Sequence, residues 1–471
     1  MTPDHPQSTT SRVRGRLRTA VQEYGSVVGS LGSTSGQTVM VALLPVLMAE
    51  YAPSAFMIGL AIGAEGLFAL FVPYWAGAMS DALPDRLARR FGRRSFFLLA
   101  MAPLMAGALV AAPLLHGYWA LFAIGMLYFG ALHAYLTPLW ALMVDAVPDE
   151  RRGRVHGARG ALHAVGIGYG LVASGLLFTL WRPLPFLFGA LIVLVTTLIT
   201  VHTARHADRG PAVRAVSGDA ADAAAMDGTG IPPESAGMEP DAADAAAPNE
   251  PAEVAGGWGA ALRRPSVRLF LIANACWTGA IDGIRPYVFL FALSVLGITV
   301  AETSLVLSFL LVGLAVGAVG LGRLSDHIGR RALLVGGILL TTVSLFLGIF
   351  LRDPEGAVLI LALAGVGAAS LIALPFPLFV SLVGERGIGR STGLYILSVG
   401  IARVGAPMLV GAAIDYGRVW YPEMEGYPLM WPMAAGLALL SVPFLLWSFR
   451  EARREGVSVD AVASSAAAPH M

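Results

Sequence analysis

Lysine does not occur in these 471 residues, cysteine occurs once, and charged residues make up only 13% of the chain. The single cysteine, Cys276, excludes an internal disulfide framework and a cysteine-based metal site. Lying inside an apolar run, it reads as a buried structural thiol. So little charge excludes an ordinary soluble domain, in which about a quarter of residues are charged. All 32 basic residues are arginine, the mark of GC-rich coding and not of function, and a net charge of +1 points to no nucleic-acid partner. There is no P-loop, no HExxH, no G-x-S-x-G and no Asp-rich prenyl diphosphate pair, which argues against ATP-driven pumping and the commoner intramembrane chemistries.

What is abundant is apolar surface, with 56% hydrophobic residues and a mean hydropathy of +0.69. Twelve runs are long enough to cross about 30 Å of hydrocarbon as helices. They fall roughly at 26–49, 55–79, 96–115, 118–146, 156–180, 184–203, 267–294, 302–324, 332–351, 356–383, 392–414 and 429–448. The alternating pattern of about ten residues that a spanning β-strand needs is absent. The expected fold is an all-α membrane protein. Ahead of Ser26 the chain is polar, with Arg12, Arg14, Arg16 and Arg18 and no apolar core of a cleavable signal, so the first span is expected to be retained.

Arginines set the orientation. The N-terminal tail, the even-numbered loops and Arg450, Arg453 and Arg454 are rich in them, whereas the odd-numbered loops hold only Arg182, Arg352 and Arg418. The positive-inside rule then places both termini in the cytoplasm of a multi-pass protein of the cytoplasmic (inner) membrane. Residues 204–262, built from Ala, Asp, Glu, Pro and Gly, cannot bury enough apolar surface to offset chain entropy and are expected to form a disordered cytoplasmic linker. The expected organisation is a tail over 1–25, a six-helix bundle over 26–203, that linker, a second bundle over 263–450 and a tail over 451–471.

The two halves repeat. Phe91-Gly92-Arg93-Arg94 recurs as Ile328-Gly329-Arg330-Arg331 at an offset of 237, and Gly153-Arg154 recurs as Gly389-Arg390 at an offset of 236. Pro138 and Pro375 keep the same spacing, while Asp81 and Asp326 differ by 245, so the first copy carries eight extra residues. Such duplication, with an axis along the membrane normal, builds one class of secondary transporter.

GRLSDHIGRR, Gly322 to Arg331, and its longer counterpart GAMSD...RFGRR, from Gly77, closely resemble the signature between the second and third helices of each half in the major facilitator superfamily. The twelve spans, the repeat, the central linker and the ERRGR loop at Glu150 to Arg154 extend the resemblance over the whole membrane region. The expanded first motif looks more like the sucrose and glycoside-pentoside-hexuronide symporter branches than like drug exporters, although its ALPDRLA insertion is long and Ser95 stands where a proline is common. The resemblance implies two six-helix bundles related by a pseudo-twofold axis.

It also implies a latch. Gly77 and Gly322 are expected to admit a neighbouring backbone closely, and Asp81 and Asp326 to lie beside the positive N-terminal dipoles of the eleventh and fifth helices when the cytoplasmic side is closed. Asp145 is placed to pair with Arg93 or Arg94, and Arg330 and Arg331 complete the second copy, while Asp149 and Glu150 are expected in solvent.

Ionisable groups inside spans are costly and mark pathways or pairs. Here they are Glu65, His133, Arg159, His163, Asp282, Arg285 and Arg403. At a 1.5 Å rise per residue, Glu65 and Arg403 both fall near the midplane. In the arrangement the resemblance implies, their helices are neighbours, so a Glu65–Arg403 contact is expected, direct or through a solute; a static packing pair is the other reading. Asp282 and Arg285 share a helical face, and Pro286, with Gly279 and Gly283, is expected to loosen the seventh span beside them. That pair reads either as a place where solute and ion meet or as a self-neutralising pair near the outer surface. His133 and His163 read first as structural histidines, Arg159 as a snorkelling side chain, and Trp277 either stacks on a sugar face or fills the bundle. Gly59/Gly63 and Gly313/Gly317 read as close helix packing.

The leading functional expectation is secondary active transport of a small polar, sugar- or glycoside-like solute by alternating access and proton symport, the proton being carried by Glu65 or Asp282. The alternative is proton-antiport efflux of a drug or metabolite; the glycine-rich fifth span lacks the Gly-Pro pair typical of that branch and favours neither. A membrane enzyme or sensor is the remote alternative. The expected partners are the solute, a proton and the bilayer, with the chain acting as a monomer without nucleic acid, metal or cofactor.

Overall fold

The computed structural model describes residues 23–147, 149–208, 258–383 and 388–457. Among these residues every regular element is helical, and twelve helices are long and apolar enough to cross a membrane. They are α1 (Glu23–Ala49), α2 (Ala55–Asp81), α3 (Arg93–Leu114), α4 (Tyr118–Ala146), α5 (Gly153–Leu180), α6 (Leu184–Ala204), α7 (Pro265–Ile284), α8 (Val300–Leu321), α9 (Arg330–Phe350), α10 (Pro354–Val383), α11 (Thr392–Gly417) and α12 (Tyr427–Arg454). The spans expected from apolar run length agree with these to within a few residues except at the twelfth, which runs on from 448 to Arg454, and at the seventh, where the helix ends at Ile284 and a separate helix, Val288–Ser294, follows. Pro286 accounts for this break, since it lacks a backbone donor and its ring clashes with the preceding turn.

Most of the expected linker, residues 209–257, lies outside the described residues, as do the tails over 1–22 and 458–471. Its two ends are helical and not extended: the helix of α6 runs on to Asp208, and a short helix, Trp258–Arg263, precedes α7.

The chain forms two units, and their division does not fall at the linker alone. One contains α1, α3 to α6 and the C-terminal part of α2, from Phe68; the other contains α7 to α12 together with Ala52–Leu67. Within the first, α1 packs on α5 and α6, and α3 on α4 and α6; within the second, α7 packs on α11 and α12, and α9 on α10 and α12. The same pairings at positions six helices apart give the sequence repeat a structural counterpart. Each motif copy also turns in the same way. Gly92 has φ 90° and ψ 149°, Gly329 has φ 86° and ψ 148°, and α3 and α9 begin at the next residue. Side chains other than hydrogen are strongly disfavoured there. The eight extra residues of the first copy emerge as a short helix, Asp85–Phe91, whereas the second copy runs straight through as one helix from Val300 to Ile328.

Packing follows small residues on one helix facing threonines or larger groups on the next. In the first unit Gly29 N donates to Thr200 Oγ1 at 2.8 Å, and a side chain at Gly32 would collide with Thr196 on α6. Tyr135 Oη and Thr197 Oγ1 are 2.9 Å apart, tying α4 to the same helix. In the second unit a Cβ at Gly317 would lie 2.7 Å from Val366 O, so the Gly313/Gly317 pair is a close contact of α8 with α10. Its core gathers Val267, Phe270, Leu334, Ile338, Phe379 and Leu445.

Candidate functional site

The site starts from the break in α7. Asp282 sits in the last turn before it and Arg285 opens it, three residues on, which brings their side chains to one side. Arg285 Nη1 donates to Asp282 Oδ1 at 3.2 Å, and its Nη2 donates to Glu65 Oε2 at 3.2 Å. From α11, Arg403 Nε donates to Asp282 Oδ2 at 3.0 Å. Four groups from three helices, all in the second unit, therefore form one chain: Glu65, Arg285, Asp282, Arg403. The expected meeting of Glu65 with Arg403 takes this form, with Arg285 and Asp282 as the links between them.

Glycines bring α2 close enough for this. A Cβ at Gly63 would lie 2.6 Å from Val404 O, and one at Gly59 would collide with Pro407 O and Tyr287 Oη. Two residues after Gly63, Glu65 can then reach Arg285. Two further contacts fix the same joint. Asp415 Oδ1 accepts from Ala55 N at 2.8 Å and its Oδ2 from Phe56 N at 2.9 Å, placing a carboxylate on the positive end of α2. Tyr287 Oη lies 2.7 Å from Pro407 O and 2.9 Å from Ala55 O. The sequence gives no residue-type signal for either contact, because both partners are backbone groups; the closest hint is an aspartate near the end of an apolar span.

Burial divides the cluster by sign. The carboxylates of Glu65 and Asp282 are 6% and 13% exposed, while Arg285 and Arg403 are 35% and 38% exposed. Two positive and two negative charges balance, which matters because an unpaired buried charge costs several kcal/mol. Removing or neutralising any one member leaves a net charge in an apolar setting.

Other expected residues have different surroundings. Trp277 is 2% exposed, edge-to-face against Phe270 with ring centroids 5.8 Å apart, so it fills the core of the second unit. His133, on α4, is buried within the first unit. His163 Nδ1 lies 2.7 Å from Thr34 Oγ1, and the Arg159 guanidinium stands over the Trp140 ring at 5.8 Å. Cys276 is only half-buried, because its helix face is not wholly covered. Asn274 carries no charge and so gives no ionisable-residue signal in the sequence; its Nδ2 donates to Ser398 Oγ at 2.7 Å, a second polar link between α7 and α11.

At the first motif, Arg94 Nη1 donates to Asp81 Oδ1 at 2.7 Å and Arg94 Nε lies 3.5 Å from Asp145 Oδ2, while Arg93 Nη1 donates to Asp81 O at 2.7 Å. The pairing of Asp145 with an arginine of the motif is therefore present. Gly77 does not make the close approach expected of it: the nearest atom to a Cβ built there is Thr137 Cγ2 at an ordinary 3.6 Å. In the second copy the surroundings of Gly322 and Asp326 lie outside the described residues, Arg330 is exposed, and Arg331 stands over the Phe449 ring at 5.2 Å. Of the loop charges, Arg151 pairs with the buried Glu23 at 2.9 Å, whereas the side chains of Asp149 and Glu150 lie outside the described residues.

Comparison with known proteins places this geometry in a family. The model of the Major Facilitator Superfamily matches residues 26–299 and 287–467. Inner membrane transport protein YnfM of Escherichia coli (strain K12) is 28% identical over 120 residues, 26% of this chain and 29% of that protein. An uncharacterized MFS-type transporter of Mycobacterium tuberculosis (strain ATCC 25618 / H37Rv), Rv1877, is 32% identical over 121 residues, 26% of this chain and 18% of that protein. The aligned stretch thus spans under a third of these relatives. Among solved structures, the nucleoside transporter NupG superposes with a TM-score of 0.67 at 12% identity, covering 91% of this chain and 99% of that one. A bacterial homolog of the human lysosomal transporter Spinster gives 0.64 at 12% identity, covering 93% and 98%. Neither supports the sucrose and glycoside-pentoside-hexuronide branches in particular. The match to the family model along nearly all of the membrane region, with the fold these structures share, shows that the chain belongs to the major facilitator superfamily.

Proposed function

We propose that the chain is a secondary active transporter that moves a small polar solute across the cytoplasmic membrane by alternating access, with a proton as the driving ion and symport as the mode. The observation that supports this most is the chain of charges from Glu65 to Arg403. Buried carboxylates bridged by arginines can take up a proton when an arginine is drawn away and release it when the pair re-forms. A solute with hydrogen-bonding groups is what draws the arginine away. The name of the nucleoside transporter NupG, a structural neighbour, describes a polar solute of this general kind.

In the same reading both termini are cytoplasmic, and the Asp81 motif is a latch that holds the cytoplasmic side closed, with Asp326 its counterpart in the second half. The bond of Arg94 to Asp81 and Asp145 then positions the aspartate at the end of α2. Glu65, Asp282, Arg285 and Arg403 are the solute and proton residues, His133 supports α4, and Trp277 supports α7 from the core.

Reconstitution into liposomes tests the reading. With an inward proton gradient and a panel of sugars, nucleosides and cationic dyes, at least one polar solute should accumulate, and an ionophore that collapses the gradient should stop it. Accumulation indifferent to the gradient would contradict proton coupling, and export of dyes alone would replace symport with efflux.

A further inference from the structure

We infer that the solute taken by the Glu65–Arg403 cluster is an organic monoanion, a carboxylate, and that it binds together with one proton. This rests on the proposal that the cluster is the coupling site. Three observations carry it. First, the more exposed members are the two guanidiniums, at 35% and 38%, while the carboxylates are buried at 6% and 13%. An approaching solute meets donors and positive charge.

Second, Arg403 spends only part of its donor set. Among the described residues its one hydrogen bond runs from Nε to Asp282 Oδ2, and Nη1 and Nη2 make none. A planar guanidinium edge matches the two oxygens of a carboxylate.

Third, the charges are already balanced. Glu65 and Asp282 neutralise Arg285 and Arg403, so a monoanion would leave an uncompensated negative charge in the apolar interior. Uptake of one proton by one of the two carboxylates restores neutrality. Asp282 is held on both oxygens by two arginines. Glu65 is reached by Arg285 at one oxygen and lies within electrostatic reach of Arg403. Among the charged groups that act on Glu65 in this unit are Arg285, next to α7, and Arg403 from α11, where Tyr395 is also near Arg403; α2 itself has no other carboxylate, arginine or histidine before Asp81. Protonating Asp282 would give up charge-assisted bonds from two arginines at once, so the proton goes to Glu65, and Arg285, freed from it, joins Arg403 in holding the anion. A phosphate ester, nearly dianionic at neutral pH, would need two protons at the same site. Proton and monoanion together carry no net charge, so the cycle is electroneutral.

Calorimetric titration of the purified full chain tests this. The probes are benzoate and gluconate with their neutral counterparts benzamide and glucose, each in two buffers of different ionisation enthalpy. A carboxylate should bind at least about tenfold more tightly than its counterpart, the worth of one charge-assisted hydrogen bond, with about one proton taken up per anion bound. Arg403→Lys, which keeps the charge and loses the fork, should weaken carboxylate binding, and Glu65→Gln should abolish the proton uptake. Neutral solutes binding as tightly as every carboxylate, or carboxylate binding without proton uptake, overturn the inference, as does binding of glucose 6-phosphate with two protons. In liposomes, carboxylate uptake should follow the pH gradient and ignore a potential set by potassium and valinomycin; uptake that follows the potential overturns it. Proton-driven uptake of glucose with exclusion of carboxylates would overturn the anion assignment and leave proton coupling standing. Indifference of every solute to the gradient would remove the coupling itself.

Discussion

Arg403 Nε donates to Asp282 Oδ2 at 3.0 Å, so a bond between two charged side chains fastens α11 to α7 within the membrane-spanning part of the second unit. The same aspartate is held by Arg285, which also reaches Glu65. Charge and helix packing are thus the same structure here.

Truncating two members of opposite sign together should therefore cost less than the two single truncations added. Arg403→Met leaves Asp282 with one cation and is expected to destabilise the protein by about 3 kcal/mol, the low end for a broken buried pair because the arginine is partly exposed. The double variant Asp282→Asn/Arg403→Met should lose less than the sum of the single losses. Thermal unfolding in detergent measures all three, and strict additivity would show that the two side chains do not act on one another.

The repeated glycines give a second test. Gly92 and Gly329 share a backbone conformation that other residues scarcely adopt, so Gly92→Ala and Gly329→Ala should each destabilise by about 1 to 3 kcal/mol. Alanine at Gly107, whose added Cβ meets nothing within 4 Å in the middle of α3, should have no such effect. Equal tolerance at all three positions would mean that the turn is not retained in the folded protein.

At the first motif, stability and function should part. Asp81 is 61% exposed, and an exposed ion pair is worth at most about 1 kcal/mol. Asp81→Asn should then scarcely change the melting temperature, yet, if the motif latches the cytoplasmic side, should lower the population of the outward-open state. Labelling of a cysteine introduced on the cytoplasmic side, in a chain with Cys276 replaced by serine, reads that population. Unchanged cytoplasmic accessibility would sink the latch.

The end of α12 supplies a pH dependence. Glu455 Oε2 accepts from Ser266 Oγ at 2.6 Å and from Arg264 Nε at 2.9 Å, and its Oε1 accepts from Ser266 N at 3.1 Å, holding the start of α7. Burial alone would raise this carboxyl, but the bonds from Ser266 and Arg264 outweigh it and leave it below its ordinary 4.5. A lowered carboxyl contributes stability above its unfolded value and loses it as pH falls through the folded one. The melting temperature of the wild type should exceed that of Glu455→Gln at neutral pH, with the gap closing below about pH 4.5. A gap that persists into acid would contradict the charged role.

How much of this was legible in the sequence follows from how local each signal is. Apolar run length is a local property, and it placed the spans to within a few residues; Pro286 likewise marked the break in α7. The repeated Phe-Gly-Arg-Arg and Ile-Gly-Arg-Arg motifs marked two equivalent turns, because glycine is the residue such a turn requires. Pairing is not local. Glu65, Asp282, Arg285 and Arg403 could be picked out as costly residues, but that Arg285 and not Arg403 bonds Glu65 depends on the rotation of three helices about their axes. Asp415 and Tyr287 left no trace, since their partners are the backbone of Ala55, Phe56 and Pro407. The close approach expected at Gly77 failed for the converse reason: a glycine permits proximity without requiring it.

The central claim is that the buried charge chain couples solute to proton, and uphill accumulation by Glu65→Gln tests it most directly. In liposomes with an inward proton gradient the wild type should concentrate its solute, while Glu65→Gln should carry it only to equilibrium. Concentration by the variant to the wild-type level would place the proton elsewhere and contradict the account.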